Sequence, residues 1–135
     1  MEQPRVLVVV DDLFFLAKIQ TTLKHLGLTS QVLTQRAAIQ AYVNAAVTPV
    51  LVVVDLTIRT DDAVAVINAI RATDSRAPIA ILAFGAHVAV ETQQQALQAG
   101  ADRVVAKSIF SQHLPDLIQQ FVMHEEKSTN TRGKR

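Results

Sequence analysis

Two uninterrupted apolar runs, Val6-Leu7-Val8-Val9-Val10 and Val50-Leu51-Val52-Val53-Val54, each end on acid: Asp11-Asp12 after the first and Asp55 after the second. Continuous β-branched character without alternation predicts strands buried on both faces, as in a parallel sheet. A third run, Ile79-Ala80-Ile81-Leu82-Ala83-Phe84, follows Pro78 and stops at Gly85. A short fourth, Val104-Val105-Ala106, stops at Lys107, and the weaker segment Ser30-Gln31-Val32-Leu33-Thr34 completes five strand candidates. Helical spacing fills the intervals over residues 13–26, 36–46, 62–72, 88–99 and 111–123. Gly27 and Gly100 stand where carboxyl caps are expected, and Thr34, Thr60 or Asp61, and Ser111 where amino caps are expected. Five βα repeats imply right-handed crossovers and a doubly wound parallel sheet with helices on both faces.

Composition adds boundaries to this picture. A chain of 135 residues, half of them hydrophobic and few aromatic, suits one domain with a core of aliphatic strands under Ala-rich helices. The absence of cysteine excludes a disulfide framework, a thiol nucleophile and a Cys-based zinc site, and points to a reducing, cytoplasmic setting. The apolar runs are strand-sized, far below the roughly 20 residues of a membrane span, and the amino terminus has no signal-like apolar region. Net charge is +1, with much of the basic excess in the last residues, so no broad field favours nucleic acid. Residues 125–135 offer nothing to bury and are expected to form a disordered charged tail behind a domain of residues 1–124. The four histidines show no metal-ligand spacing; His87, after the fourth strand, reads as a loop residue on the functional edge. Phe14 and Phe15 open the first helix, one facing the core and the other exposed, while Phe110 is expected to pack inward.

The chemistry lies at the strand ends. Ligands of an open parallel sheet sit outside the carboxyl ends of its strands, where strand order reverses. Asp11, Asp12 and Asp55 gathered there would repel one another without a cation, and hard oxygen ligands suit Mg²⁺. Lys107, ending the last strand, supplies a compact charge for a phosphoryl oxygen or a carboxylate. No Gly-rich phosphate loop follows the first strand and no Asp-x-Asp nucleophile motif is present, which argues against a nucleotide binder or small enzyme on this fold.

Taken together, Val9-Val10-Asp11-Asp12, Val53-Val54-Asp55, Ala99-Gly100-Ala101-Asp102 and Ala106-Lys107 resemble the landmarks of response-regulator receiver domains, over about residues 4–124. The resemblance implies a flavodoxin-like, CheY-like fold with strand order 2-1-3-4-5. It further implies Mg²⁺ on Asp11, Asp12 and Asp55, phosphoacceptance by Asp55 and phosphoryl stabilisation by Lys107. The implied partners are a sensor histidine kinase or phosphotransfer protein, and an effector or second copy on the face of helix four, strand five and helix five. The chain would be a stand-alone two-component signalling protein rather than an enzyme.

Departures from that pattern cluster where the phosphate is read out. The strand-four hydroxyl is missing: counting forward from Pro78 puts Ala83 there, and counting back from Gly100 puts Gly85. Val104 replaces the strand-five aromatic, Ser108 the proline after the lysine, and Arg59 and Ala63 the usual Pro and Gly after the acceptor. A hydroxyl bonded to a charged phosphoryl contributes about 1.5–3 kcal/mol, so its loss weakens the coupling of phosphorylation to loop movement. Two readings therefore stand: an atypical phosphoacceptor, and a pseudo-receiver that works through its surface without phosphorylation.

Overall fold

The computed structural model describes residues 4–45, 48–73 and 78–122. The ends expected for the second and last helices, at residues 46 and 123, His124, and the tail of residues 125–135 lie outside the described residues. Five strands alternate with helices: β1 (Arg5–Val9), α1 (Leu13–His25), β2 (Thr29–Val32), α2 (Arg36–Val43), β3 (Leu51–Asp55), α3 (Ala63–Ala72), β4 (Ala80–Gly85), α4 (Val90–Ala99), β5 (Arg103–Ala106) and α5 (Lys107–Gln112). A further helical stretch covers residues 114–122. All neighbouring strands pair in parallel, in the order β2-β1-β3-β4-β5.

Alternation along each buried strand feeds two cores. Leu7, Val9, Val52, Val54, Ile81 and Ala83 point toward α2, α3 and α4, where Ile39, Val66, Ile67 and Ile70 meet them. Val6, Val8, Leu51, Val53, Leu82 and Phe84 point the other way, onto Ile19 and Leu23 of α1 and onto Phe110, Leu114 and Ile118. Both faces need apolar side chains, which is why these strands read as unbroken hydrophobic runs. The second core is centred on three aromatic rings: Phe84 stacks on Phe110 at 4.3 Å, and Phe15 tilts against both, at 5.1 and 5.8 Å. Phe14, its neighbour, is 92% exposed.

At the amino edge of β4 and β5 a single guanidinium ties three segments. Arg71 of α3 donates to the carbonyls of Gly100 and Ile79 and to Asp102 Oδ2, at 2.9, 2.7 and 2.9 Å. The same carboxylate oxygen accepts the Ile81 N–H at 2.7 Å. Gly100 has φ +123°, and a Cβ there would run into the Arg71 side chain, so both conformation and space demand glycine.

Several local expectations change. Thr60 and Asp61 give way to Asp62 as the cap of α3, and Asp12 caps α1; each side chain accepts two N–H groups of its helix's first turn. Asp61 serves α2 instead, accepting the Arg36 N–H at 3.0 Å from across the sheet edge. Thr34 is not the residue before α2, where Gln35 stands without a side-chain cap bond. The last helix begins at Lys107, not Ser111, and breaks at His113. With Ser108 in place of proline, the chain turns helical directly from the strand.

Candidate functional site

The carboxyl ends of β1 and β3 are adjacent in the sheet, so the acids that follow them meet at one edge. Asp55 ends β3 and, at 3% exposure, is a buried charged residue. Its Oδ1 is fixed by Thr57, whose backbone N–H and hydroxyl donate at 2.8 and 2.7 Å. No hydrogen bond from a described residue reaches Oδ2, the remaining oxygen. Asp11 accepts the backbone N–H of Arg59 on Oδ2 at 2.8 Å. Asp12 Oδ1 accepts the N–H groups of Phe14 and Phe15 at 3.0 and 3.1 Å, and its Oδ2 lies 3.7 Å from Lys107 Nζ. The Phe15 N–H foremost, and also the Lys107 ammonium, hold the Asp12 carboxyl below its ordinary value of 3.8. Lys107 also sits 4.8 Å above the Phe15 ring, so the ammonium rests against the aromatic cluster of the core.

Asp11, Asp12, Asp55, Thr57, Arg59 and Lys107 together line an open cleft of about 490 Å³. The four residues expected from the sequence are thus brought together. Lys107, however, is the first residue of α5 rather than the last of β5. The sequence reading also missed Thr57, whose signal was its place two residues after an aspartate, the spacing of an Asx turn.

The acids do not form a compact metal cage: among the described residues no group of three or more acidic or histidine side chains converges closely enough to hold an ion. Asp12 lines the cleft with its Oδ1 taken by the capping bonds and its Oδ2 facing Lys107 at 3.7 Å. The donor set still fits Mg²⁺, which commonly takes one or two carboxylates and keeps several waters. Asp11 and Asp55 each have one oxygen engaged by the chain and one that accepts no bond from a described residue.

Strand pairing resolves the two counts for the missing hydroxyl. Ala83 pairs with Val54, one step inside the edge, and is fully buried. Phe84 pairs with Asp55 but points into the core, and Gly85 follows, paired with Ala106 just before Lys107. Gly85 therefore occupies the rim. Val88 covers it, because a Cβ built on Gly85 would collide with Val88 Cγ2 and stand 3.4 Å from Leu56 Cβ. His87 is exposed in this turn with φ 53°, and Ser108 is exposed and outside the cleft lining.

Comparison with known proteins agrees with this layout. The response regulator receiver domain matches residues 6–119. Among solved structures, a CheY-like receiver domain protein from Methanospirillum hungatei JF-1 is similar at 19% identity and TM-score 0.78, covering 94% of this chain and 99% of that one. A response regulator from Hahella chejuensis is similar at 23% identity and TM-score 0.77, covering 88% and 95%. The receiver domain of the Francisella response regulator 1452 follows at 18% and 0.74, covering 91% and 99%. No curated protein matches the chain. At these identities the structures speak for the fold, whereas the domain match extends through every strand and the acids that close them; the chain belongs to the response-regulator receiver domain family.

Proposed function

We propose that this receiver is a phosphoacceptor in two-component signalling, with Asp55 as the residue modified. One observation carries the reading: a buried carboxylate has one oxygen pinned by Thr57 and the other accepting no hydrogen bond from a described residue, beside a cleft that holds Lys107 and Asp11. Asp55 Oδ2 attacks the phosphorus of a phosphohistidine or small phosphoramidate donor; the new O–P bond forms as the donor P–N bond breaks, and the leaving nitrogen keeps the electron pair and takes a proton. Lys107 neutralises charge on the transferred group. Mg²⁺ held by Asp11 and Asp55 would offset phosphoryl charge when bound.

The donor is a sensor histidine kinase or phosphotransfer protein. The effector surface is the face of α4, β5 and α5, where Val90, Leu97 and Ile109 are 67%, 48% and 44% exposed. No helix among the described residues is long and apolar enough to cross a membrane. On this reading the protein acts in the cytoplasm as the substrate of a kinase rather than as an enzyme.

Intact mass after incubation with phosphoramidate, with and without Mg²⁺ and with Asp55→Ala as control, tests the reading. A single metal-dependent phosphoryl increment, absent from the variant, is expected; no increment under any condition sinks it for such donors. One feature favours the second reading, a pseudo-receiver acting through its surface: Val88 fills the space over Gly85 in which a hydroxyl side chain would sit. On that reading Asp55→Asn leaves function intact.

A further inference from the structure

Arg59 stands in the turn after Asp55, in a place where the family has proline, and brings to the cleft a cation the family pattern lacks. Its main chain is fixed to the site: the Arg59 N–H donates to Asp11 Oδ2 at 2.8 Å, and the preceding Ile58 N–H donates to the Asp55 carbonyl at 3.3 Å. Arg59 is exposed and is one of the residues that line the cleft, with the three acids, Thr57 and Lys107. Other cations nearby are committed: Lys107 lies by Asp12 and over Phe15, Arg36 pairs with Asp61 at 3.1 Å, and Lys18 bonds the Ser111 carbonyl at 3.1 Å. The Arg59 guanidinium makes no hydrogen bond or ion pair with a described residue. Three carboxylates against two cations leave the cleft one charge negative, and a divalent cation turns it one positive.

We infer that Arg59 is a phosphoryl-anion anchor of this site, supplying from the turn after β3 a donor for the phosphoryl group that β4, with Gly85 at its end, lacks. A guanidinium presents a planar fork of donors that matches phosphate oxygens, which a strand-four hydroxyl could meet with only one bond. With acetyl phosphate the step balances without an added reagent: Asp55 Oδ2 forms a bond to phosphorus, the phosphorus–oxygen bond to the acetyl group breaks, and acetate departs with the electron pair. The inference rests on the Asp55 reading for its reaction but not for its binding step, which separates the two experimentally.

The test follows phosphorylation by acetyl phosphate in Mg²⁺ buffer, as a function of donor concentration, in the native chain, Arg59→Met and Arg59→Lys. All three keep the backbone N–H that Asp11 uses. Arg59→Met should raise the half-saturating concentration roughly three- to tenfold, in the range of a charge-assisted bond at an exposed site, with the plateau rate within about twofold; Arg59→Lys should fall between. In parallel, ³¹P NMR titration of inorganic phosphate in Mg²⁺ buffer reads anion binding without any transfer, and Arg59→Met should weaken it by a similar factor. Transfer with unchanged half-saturation and unchanged phosphate binding in Arg59→Met overturns the anchor and leaves Asp55 standing. Absence of transfer with Arg59-dependent phosphate binding overturns the Asp55 reaction and leaves the anchor standing.

Discussion

Restoring a hydroxyl at position 85 should destabilise this protein unless Val88 is trimmed. Gly85→Thr places a Cβ where Val88 Cγ2 already stands, with Leu56 Cβ 3.4 Å away on another side, so the new side chain cannot retreat. Valine has one stiff χ1 and cannot swing a distant end aside; the turn itself must shift. Overpacking of this kind costs about 1–3 kcal/mol. The buried strand end gives little way, while Leu56 and Val88, both partly exposed, give some, which places the expectation near the middle, at about 2 kcal/mol. For a domain of this size that is a fall of roughly 5–10 °C in Tm. Val88→Ala alone removes only a partly exposed side chain and should cost less than about 1 kcal/mol. Combined with Gly85→Thr it should recover most of the loss, giving a coupling of at least about 1 kcal/mol in the double-mutant cycle. Urea unfolding of the four proteins at matched slopes provides the measurement. A Gly85→Thr chain as stable as the native one, or a deficit that Val88→Ala fails to relieve, would refute the argument that Val88 occupies the hydroxyl's place.

Phe84→Ala should be the harsher change, about 3–5 kcal/mol, because the ring is fully buried and stacked on Phe110; chemical denaturation checks it, and a loss under about 1.5 kcal/mol would contradict the packing. Acid should destabilise the fold in part through Asp12 and Asp61, both held below 3.8, Asp12 chiefly by the Phe15 N–H and Asp61 chiefly by the Arg36 N–H. Since their folded values lie below the unfolded one, the stability they contribute is present above pH 3.8 and is lost as the pH falls through the folded values. Asp12→Asn and Asp61→Asn should each flatten the acid limb of a stability-against-pH curve, whereas an unchanged limb in the double variant would rule out both as contributors.

The strand plan was readable because burial on both faces leaves an unbroken apolar signature, and because acids can end such runs only where the sheet meets solvent. Asp11, Asp12, Asp55 and Lys107 were therefore placed correctly at one edge. What escaped depended on contacts distant in sequence. Asp61 looked like a cap for the helix it precedes, yet it caps α2, 25 positions back. Ala83 and Gly85 could not be separated by counting, since the counts from Pro78 and from Gly100 disagree by two residues; only pairing with Val54 and Ala106 decides between them. The start of α5 at Lys107 followed from a missing proline, whose effect is permissive and leaves no positive mark. Thr57 passed unnoticed because a lone threonine in a turn has many uses.

The Arg71 knot at the base of β4 and β5 gives the domain a fulcrum. It grips α4 at its Gly100 end, farthest from the cleft, while at the Val88 end the side-chain bond formed among the described residues is local, from Gln93 of the same helix to the Val88 carbonyl. A helix of 10 residues is about 15 Å long, so a tilt of about 10° about that fixed corner would carry its free end through roughly 2.6 Å. A rearrangement around Gly85 would thereby be passed almost undiminished to the apolar side chain of Val90 and, nearer the fixed corner, less to Leu97. The helix would then swing as a single arm, held at the floor of the sheet and ending beside the site of chemistry.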